Sequence, residues 1–124
     1  MELKRIYLRV PLRRYFRVPL SGKAILSSSN NPTIKASTID ISEGGVTVKA
    51  FSEEVPTAEY QLEILTEAGQ RIEMFVQLVR ADDSIAGFQT LQIDQKSQEV
   101  IRNLFFEYEK TTDFIKQLDE EGLL

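Results

Sequence analysis

Tyr60, Leu62 and Ile64 alternate with Gln61 and Glu63. After a short gap Ile72, Met74, Val76 and Leu78 alternate with Glu73, Phe75 and Gln77. A period of two sends alternate side chains to opposite faces of a strand, so each run reads as a strand with one buried face. Glu67 to Gln70, containing Gly69, separates the runs and has the composition of a hairpin turn. So short a link excludes a parallel crossover, which needs a dozen or more residues. The chain is therefore committed to antiparallel pairing around its middle.

The rest of the chain fits that frame. A strand is predicted from Arg17 to Leu26, with Pro19 near its start and Gly22 as a bulge. Ser27 to Pro32 is a loop, and Thr33 to Ser42 is the next strand. Gly44 and Gly45 supply a turn with freedom for positive φ, and Val46 to Phe51 returns from it. Ser52 to Thr57 is an acidic loop, and Asp82-Asp83-Ser84 is another turn. Ile85 to Ile93 is the sixth strand. Six short strands with hairpin turns indicate an antiparallel sandwich or barrel.

The final segment changes period. Ile101, Leu104, Phe105, Tyr108, Thr112, Ile115 and Leu118 follow steps of three and four, a helical stripe. Asp94 or Ser97 is the N-cap, and Thr111-Thr112-Asp113 is placed to interrupt the helix and restart it. Phe106 and Phe114 lie off the stripe. Two readings follow: the helix covers an open end of the barrel, or its spare aromatics meet a partner.

Charge is distributed unevenly. Seven of the 15 basic residues and one of the 19 acidic residues fall in the first 26 positions, a balance of +6; the remainder carries −10. Such an arm either meets an anionic partner or offsets its own acidic body. Residues 1–16 alternate weakly through Ile6, Leu8, Val10 and Leu12, but Pro11 restricts them to an arm or edge strand. No run is apolar over membrane-spanning length, and the first residues lack a signal-peptide core. A soluble, cytoplasmic protein or module is the expectation. No histidine or cysteine is present. That removes Ser-His catalysis and thiolate metal sites, and no motif singles out a carboxylate pair. No catalytic residue and no metal ligand is assigned, and the chain is expected not to be an enzyme. The basic charge stops at Lys23, leaving no continuous track for DNA or RNA, although a nucleic-acid-binding barrel is the more distant alternative.

The polar residues fall in two groups. Arg13, Arg14 and Arg17 cluster at the end of the arm, where guanidinium forks suit phosphate oxygens and the O6/N7 edge of guanine. Asp40 and Ser42 share a strand face before Gly44-Gly45, and a carboxylate accepts from guanine's N1–H and N2–H₂. Together, Arg13-x-x-x-Arg17 followed by Asp40-x-Ser42-x-x-Gly45 resembles the paired signature of PilZ domains. The resemblance spans about residues 9–110. It implies a six-stranded antiparallel PilZ-type β-barrel with a C-terminal helix, binding the bacterial second messenger cyclic di-GMP. In that reading residues 1–16 form a basic arm with the arginine motif, 17–93 the barrel and 94–124 a helical segment. Arg13 and Arg17 would bind phosphate and guanine with Arg14 nearby, and Asp40 would read a guanine edge. Ser42 would bond the ligand or orient the loop, and Gly45 would admit the backbone. Arg9 and Gly44 are additional candidate contacts. No cofactor beyond this ligand is implied. The arm would order over the ligand and signal to a downstream protein or neighbouring domain. A PilZ-like protein-interaction domain without nucleotide is the nearer alternative.

Overall fold

The computed structural model describes residues 17–51 and 55–120. The arm, and with it Arg9, Arg13 and Arg14, lies outside the described residues. The strand expected from Arg17 to Leu26 is divided into β1 (Val18–Pro19) and β2 (Gly22–Ser27). Then follow β3 (Ile34–Ser42), β4 (Gly45–Ala50), β5 (Glu59–Thr66), β6 (Arg71–Asp82) and β7 (Ile85–Ile93). Every pairing is antiparallel. β3 pairs with β2, β2 with β5, β5 with β6, β6 with β7, and β7 with β4. The hairpin between β3 and β4 then closes a six-stranded barrel. Closure removes the unpaired edges that an open sheet would expose.

β1 lies outside that ring, with Val18 opposite Ile41 and Pro19 opposite Asp40. The gap between β1 and β2 is held by Thr38, whose hydroxyl donates to the Leu20 carbonyl at 2.9 Å. Gly22 is not a bulge: it pairs with Thr66 of β5, and β2 runs on from it against β5 without a register shift. The residue is small because β5 passes close by: a Cβ there would sit 2.7 Å from the Leu65 carbonyl oxygen.

The alternation seen in the sequence becomes the core. Tyr60, Leu62, Ile64, Ile72, Met74 and Val76 are all essentially inaccessible. They meet Leu26, Val46, Val48 and Phe88 from the other strands. Burying each such side chain stabilises the fold by about 1.5–3 kcal/mol. Alternation fails at Ile39. Thr38 pairs with Val48 and Asp40 with Thr47, so Ile39 is the extra residue of a bulge. It turns outward, at 38% exposure. Bulges re-aim the side chains beside them, and this one sets Asp40 directly across from Thr47.

Asp94 is the N-cap of α1 (Gln95–Tyr108), accepting from the Ser97 amide at 2.7 Å. Ser97 in turn accepts from the Glu73 amide at 2.8 Å, fastening the helix to β6. α1 buries Ile101, Phe105 and Tyr108. A break at Glu109–Thr111 precedes α2 (Thr112–Glu120). It resets the helical phase, and the inward residue of α2 becomes Phe114, while Ile115 of the predicted stripe is 51% exposed. Phe114 meets Phe105 and Tyr108 edge-on, with centroids 5.8 and 5.9 Å apart. Phe106 is partly buried against the same core. Phe114 is therefore part of the core, whereas Phe106 keeps part of its surface exposed.

Candidate functional site

Arg17 immediately precedes β1, and its backbone is held at both its amide and its carbonyl. Gln117 of α2 accepts from the Arg17 amide at 3.2 Å and donates to its carbonyl at 3.4 Å. The same Gln117 amide nitrogen donates to the Tyr108 hydroxyl at 2.7 Å. The C-terminal helix thus acts as a strand partner for one residue. It does so a hundred positions away in the chain, which no local pattern records.

The guanidinium is then fixed by three oxygens. Nε donates to Asp40 Oδ1 at 2.9 Å, one terminal nitrogen to Ser42 Oγ at 3.3 Å, and the other to Thr47 Oγ1 at 2.9 Å. An arginine carries five N–H donors, so two are unused among the described residues, one on each terminal nitrogen. The Arg17 and Asp40 side chains are 33% and 26% exposed. Water and a ligand can reach both. Asp40 uses one oxygen here; its other oxygen accepts no bond from the described residues.

Ser42 is 1% exposed and sits behind the arginine. Its hydroxyl accepts from Arg17 and, at 3.2 Å, from the Gly44 amide, so it fixes the turn as well. Gly45 does not use a positive φ. Its role is space: a Cβ there would collide with the Phe88 carbonyl oxygen and lie 3.3 Å from an Arg17 terminal nitrogen. Any other residue at 45 would separate β4 from β7 or displace the arginine.

Beside this cluster is an open cleft of about 560 Å³. Arg17, Asp40, Gly44 and Thr47 form one side, and Val79, Arg80, Gly87 and Gln89 form the other. The structure therefore gathers Arg17, Asp40, Ser42, Gly44 and Gly45 in one place, with Ser42 and Gly45 supporting rather than lining it. Thr47, Gln117 and Arg80 were not anticipated from the sequence. The signal for Thr47 was offset. The turn is formed by Glu43 and Gly44, one residue earlier than the glycine pair suggested, with Gly45 already in β4. Counting out from it pairs Thr47 with Asp40, whereas a Gly44-Gly45 turn would have set Thr47 opposite Ser42. Gln117 and Arg80 had none, since tertiary packing alone brings them here. Among the described residues, no group of three or more acidic side chains is placed to hold a metal ion. No described helix is long and apolar enough to cross a membrane.

A family model described as PilZ domain matches residues 11–107. No curated protein matches the chain. Among solved structures, the PilZ domain of YcgR from Escherichia coli, determined with c-di-GMP, superimposes with a TM-score of 0.65 at 14% identity. It covers 90% of this chain and 98% of its own. The PilZ domain of CeSA from a cellulose-synthesizing bacterium gives 0.56 at 19% identity, covering 76% and 98%. A longer YcgR structure in complex with c-di-GMP, also from Escherichia coli, gives 0.62 at 19%, covering 87% and 50%.

Proposed function

The chain belongs to the PilZ domain family, and on that premise we propose that it is a cyclic di-GMP receptor of the bacterial cytoplasm, a binding module and not an enzyme. The observation that carries this is the Arg17 guanidinium, held between Asp40, Ser42 and Thr47 with two donors unused among the described residues. Both halves of the motif, Arg13-x-x-x-Arg17 and Asp40-x-Ser42-x-x-Gly45, are intact in the chain. YcgR, which shares the fold, has been solved with c-di-GMP bound.

In the proposed complex, Arg13 and Arg17 take phosphate oxygens and the Hoogsteen edge of guanine, as guanidinium forks do. Arg14 lies near them, and Arg9 adds a further contact. Asp40 accepts from the N1–H and N2–H₂ edge. Ser42 keeps the Gly44 amide and Arg17 in place, and Gly45 lets the backbone approach. The chain then works in three parts: the arm of residues 1–16, the barrel of 17–93 and the helical segment of 94–124. Repulsion among Arg9, Arg13, Arg14 and Arg17 disfavours a packed arm without ligand, and a ligand with two phosphates relieves it. The arm therefore folds over the bound nucleotide and changes how the barrel meets a neighbouring domain or protein.

Two measurements test this. Isothermal titration with cyclic di-GMP is expected to give saturable binding; a folded protein that takes up no heat leaves a protein-interaction domain instead. Limited trypsin digestion is expected to show cleavage after Arg9, Arg13 and Arg14 that saturating ligand suppresses. Equal cleavage with and without ligand refutes the ordering of the arm even where binding is found.

A further inference from the structure

One charged side chain in the cleft has no role in the reading above. Arg80 pairs across the barrel with Gly87 on β7, Gly87 with Thr47 on β4, and Thr47 with Asp40 on β3. Residues directly opposite in antiparallel strands share a face. Asp40, Thr47, Gly87 and Arg80 thus form one row across four neighbouring strands on the outside of the barrel. At a strand spacing of about 4.8 Å, the row spans about 14 Å from β3 to β6.

Gly87 leaves a gap in that row, and Arg80 fills it. A Cβ built on Gly87 would have Arg80 as its nearest neighbour three times over: Nε at 3.6 Å, Cβ at 3.7 Å and a terminal nitrogen at 3.7 Å. The side chain therefore lies along the bare strand, with its guanidinium over β7 rather than over β6. A second guanidinium is brought into the cleft that holds Arg17. Among the described residues, the ionic contact Arg80 makes is with Asp82, at 4.0 Å, between side chains 62% and 78% exposed. A pair so long and so solvated holds an arginine weakly. The charged residues lining the cleft are Arg17, Arg80 and Asp40, a local balance of +1 on a chain of net charge −4. Such a cleft concentrates anions.

We propose that Arg80 is a further ligand-contacting residue, gripping the half of the cyclic dinucleotide remote from Arg17 and Asp40. The inference rests on the cyclic di-GMP reading. It adds that the far wall is part of the site, and that Gly87 is small so that Arg80 can reach across. Loss of a charge-assisted contact of this kind weakens binding about ten- to a hundredfold. Gly87→Val offers an independent route to the same loss, because its side chain lifts Arg80 off the strand while suiting β-structure.

The test is isothermal titration of cyclic di-GMP into the wild type, Arg17→Ala, Arg80→Gln, Gly87→Val and the Arg80→Gln/Gly87→Val double variant. Thermal melts confirm that each is folded. The expected result is a ten- to hundredfold loss for each of the two single changes at 80 and 87. The double variant should be no weaker than Arg80→Gln alone, since both remove one interaction. Tight binding by wild type, a large loss in Arg17→Ala and an affinity within twofold of wild type in Arg80→Gln would overturn this inference alone. Additive losses at 80 and 87 would overturn it too, because Gly87 would then act without Arg80. No binding by folded wild type would overturn the cyclic di-GMP reading and this inference with it.

Discussion

The barrel surface carries two clefts of similar size among the described residues, one of about 630 Å³ over β5 to β7 and one of about 560 Å³ beside Arg17. The first includes Phe75 and Leu91 with Gln61 and Gln92, but its charged residues are Glu73 and Asp94. Asp94 is occupied in capping α1. The bond from the Ser97 amide holds its carboxyl below the usual carboxylate range, so it stays charged. The second cleft has two guanidinium groups and one carboxylate. A phosphate brought to the first would meet two negative charges, and at the second it would meet guanidinium N–H donors already in position. Donors fixed before the ligand arrives, rather than volume, separate the two.

Mutations at the two clefts should therefore behave oppositely. The largest effect is expected for Arg17→Ala, about a hundredfold or more in cyclic di-GMP affinity, against no measurable change for Glu73→Gln. Titration of both variants checks this, and comparable losses would erase the distinction. Asp40→Ala should weaken binding about tenfold. Its ion pair with Arg17 is partly solvated and worth less than about 1 kcal/mol to folding, so the melting temperature should hardly move. A large fall would make Asp40 structural. Gln117→Ala removes the clamp on the Arg17 backbone without touching the cleft, and should cost a few-fold in affinity through a less ordered arginine. Asp94→Ala should leave affinity unchanged and lower the melting temperature by a few degrees through the lost cap. Its folded pKa lies below its unfolded value. The stability it adds is therefore present above the unfolded pKa and is lost as pH falls through the folded one, below about pH 4. Melts of wild type and variant should converge in acid.

Particular residues show how far the sequence carries. Tyr60 to Ile64 and Ile72 to Leu78 are legible because burial on one face imposes a period of two, and the barrel follows from them. The extension of β6 to Asp82 is not, since Val79, Arg80 and Ala81 are all exposed and carry no alternation. The hydrophobic pattern likewise conceals the bulge at Ile39, which turns an isoleucine outward to aim Asp40. In the helices, the break was legible at Thr111-Thr112-Asp113 but not its consequence, because the phase after a break is set by what the next helix packs on. At the site, Arg17, Asp40, Ser42 and Gly45 could be read from motif spacing. Gln117 and Arg80 reach it only through chain closure, from α2 and from across Gly87.

Backbone amide chemical shifts of the labelled protein, followed as cyclic di-GMP is added, discriminate between the clefts residue by residue. Shifts should be largest at Arg17, from Asp40 to Thr47, and from Val79 to Gln89. Gln61, Glu73 and Gln92 should stay still. Shifts centred on Gln61, Glu73 and Gln92, with Arg17 and Asp40 unmoved, would contradict the placement of the ligand beside Arg17.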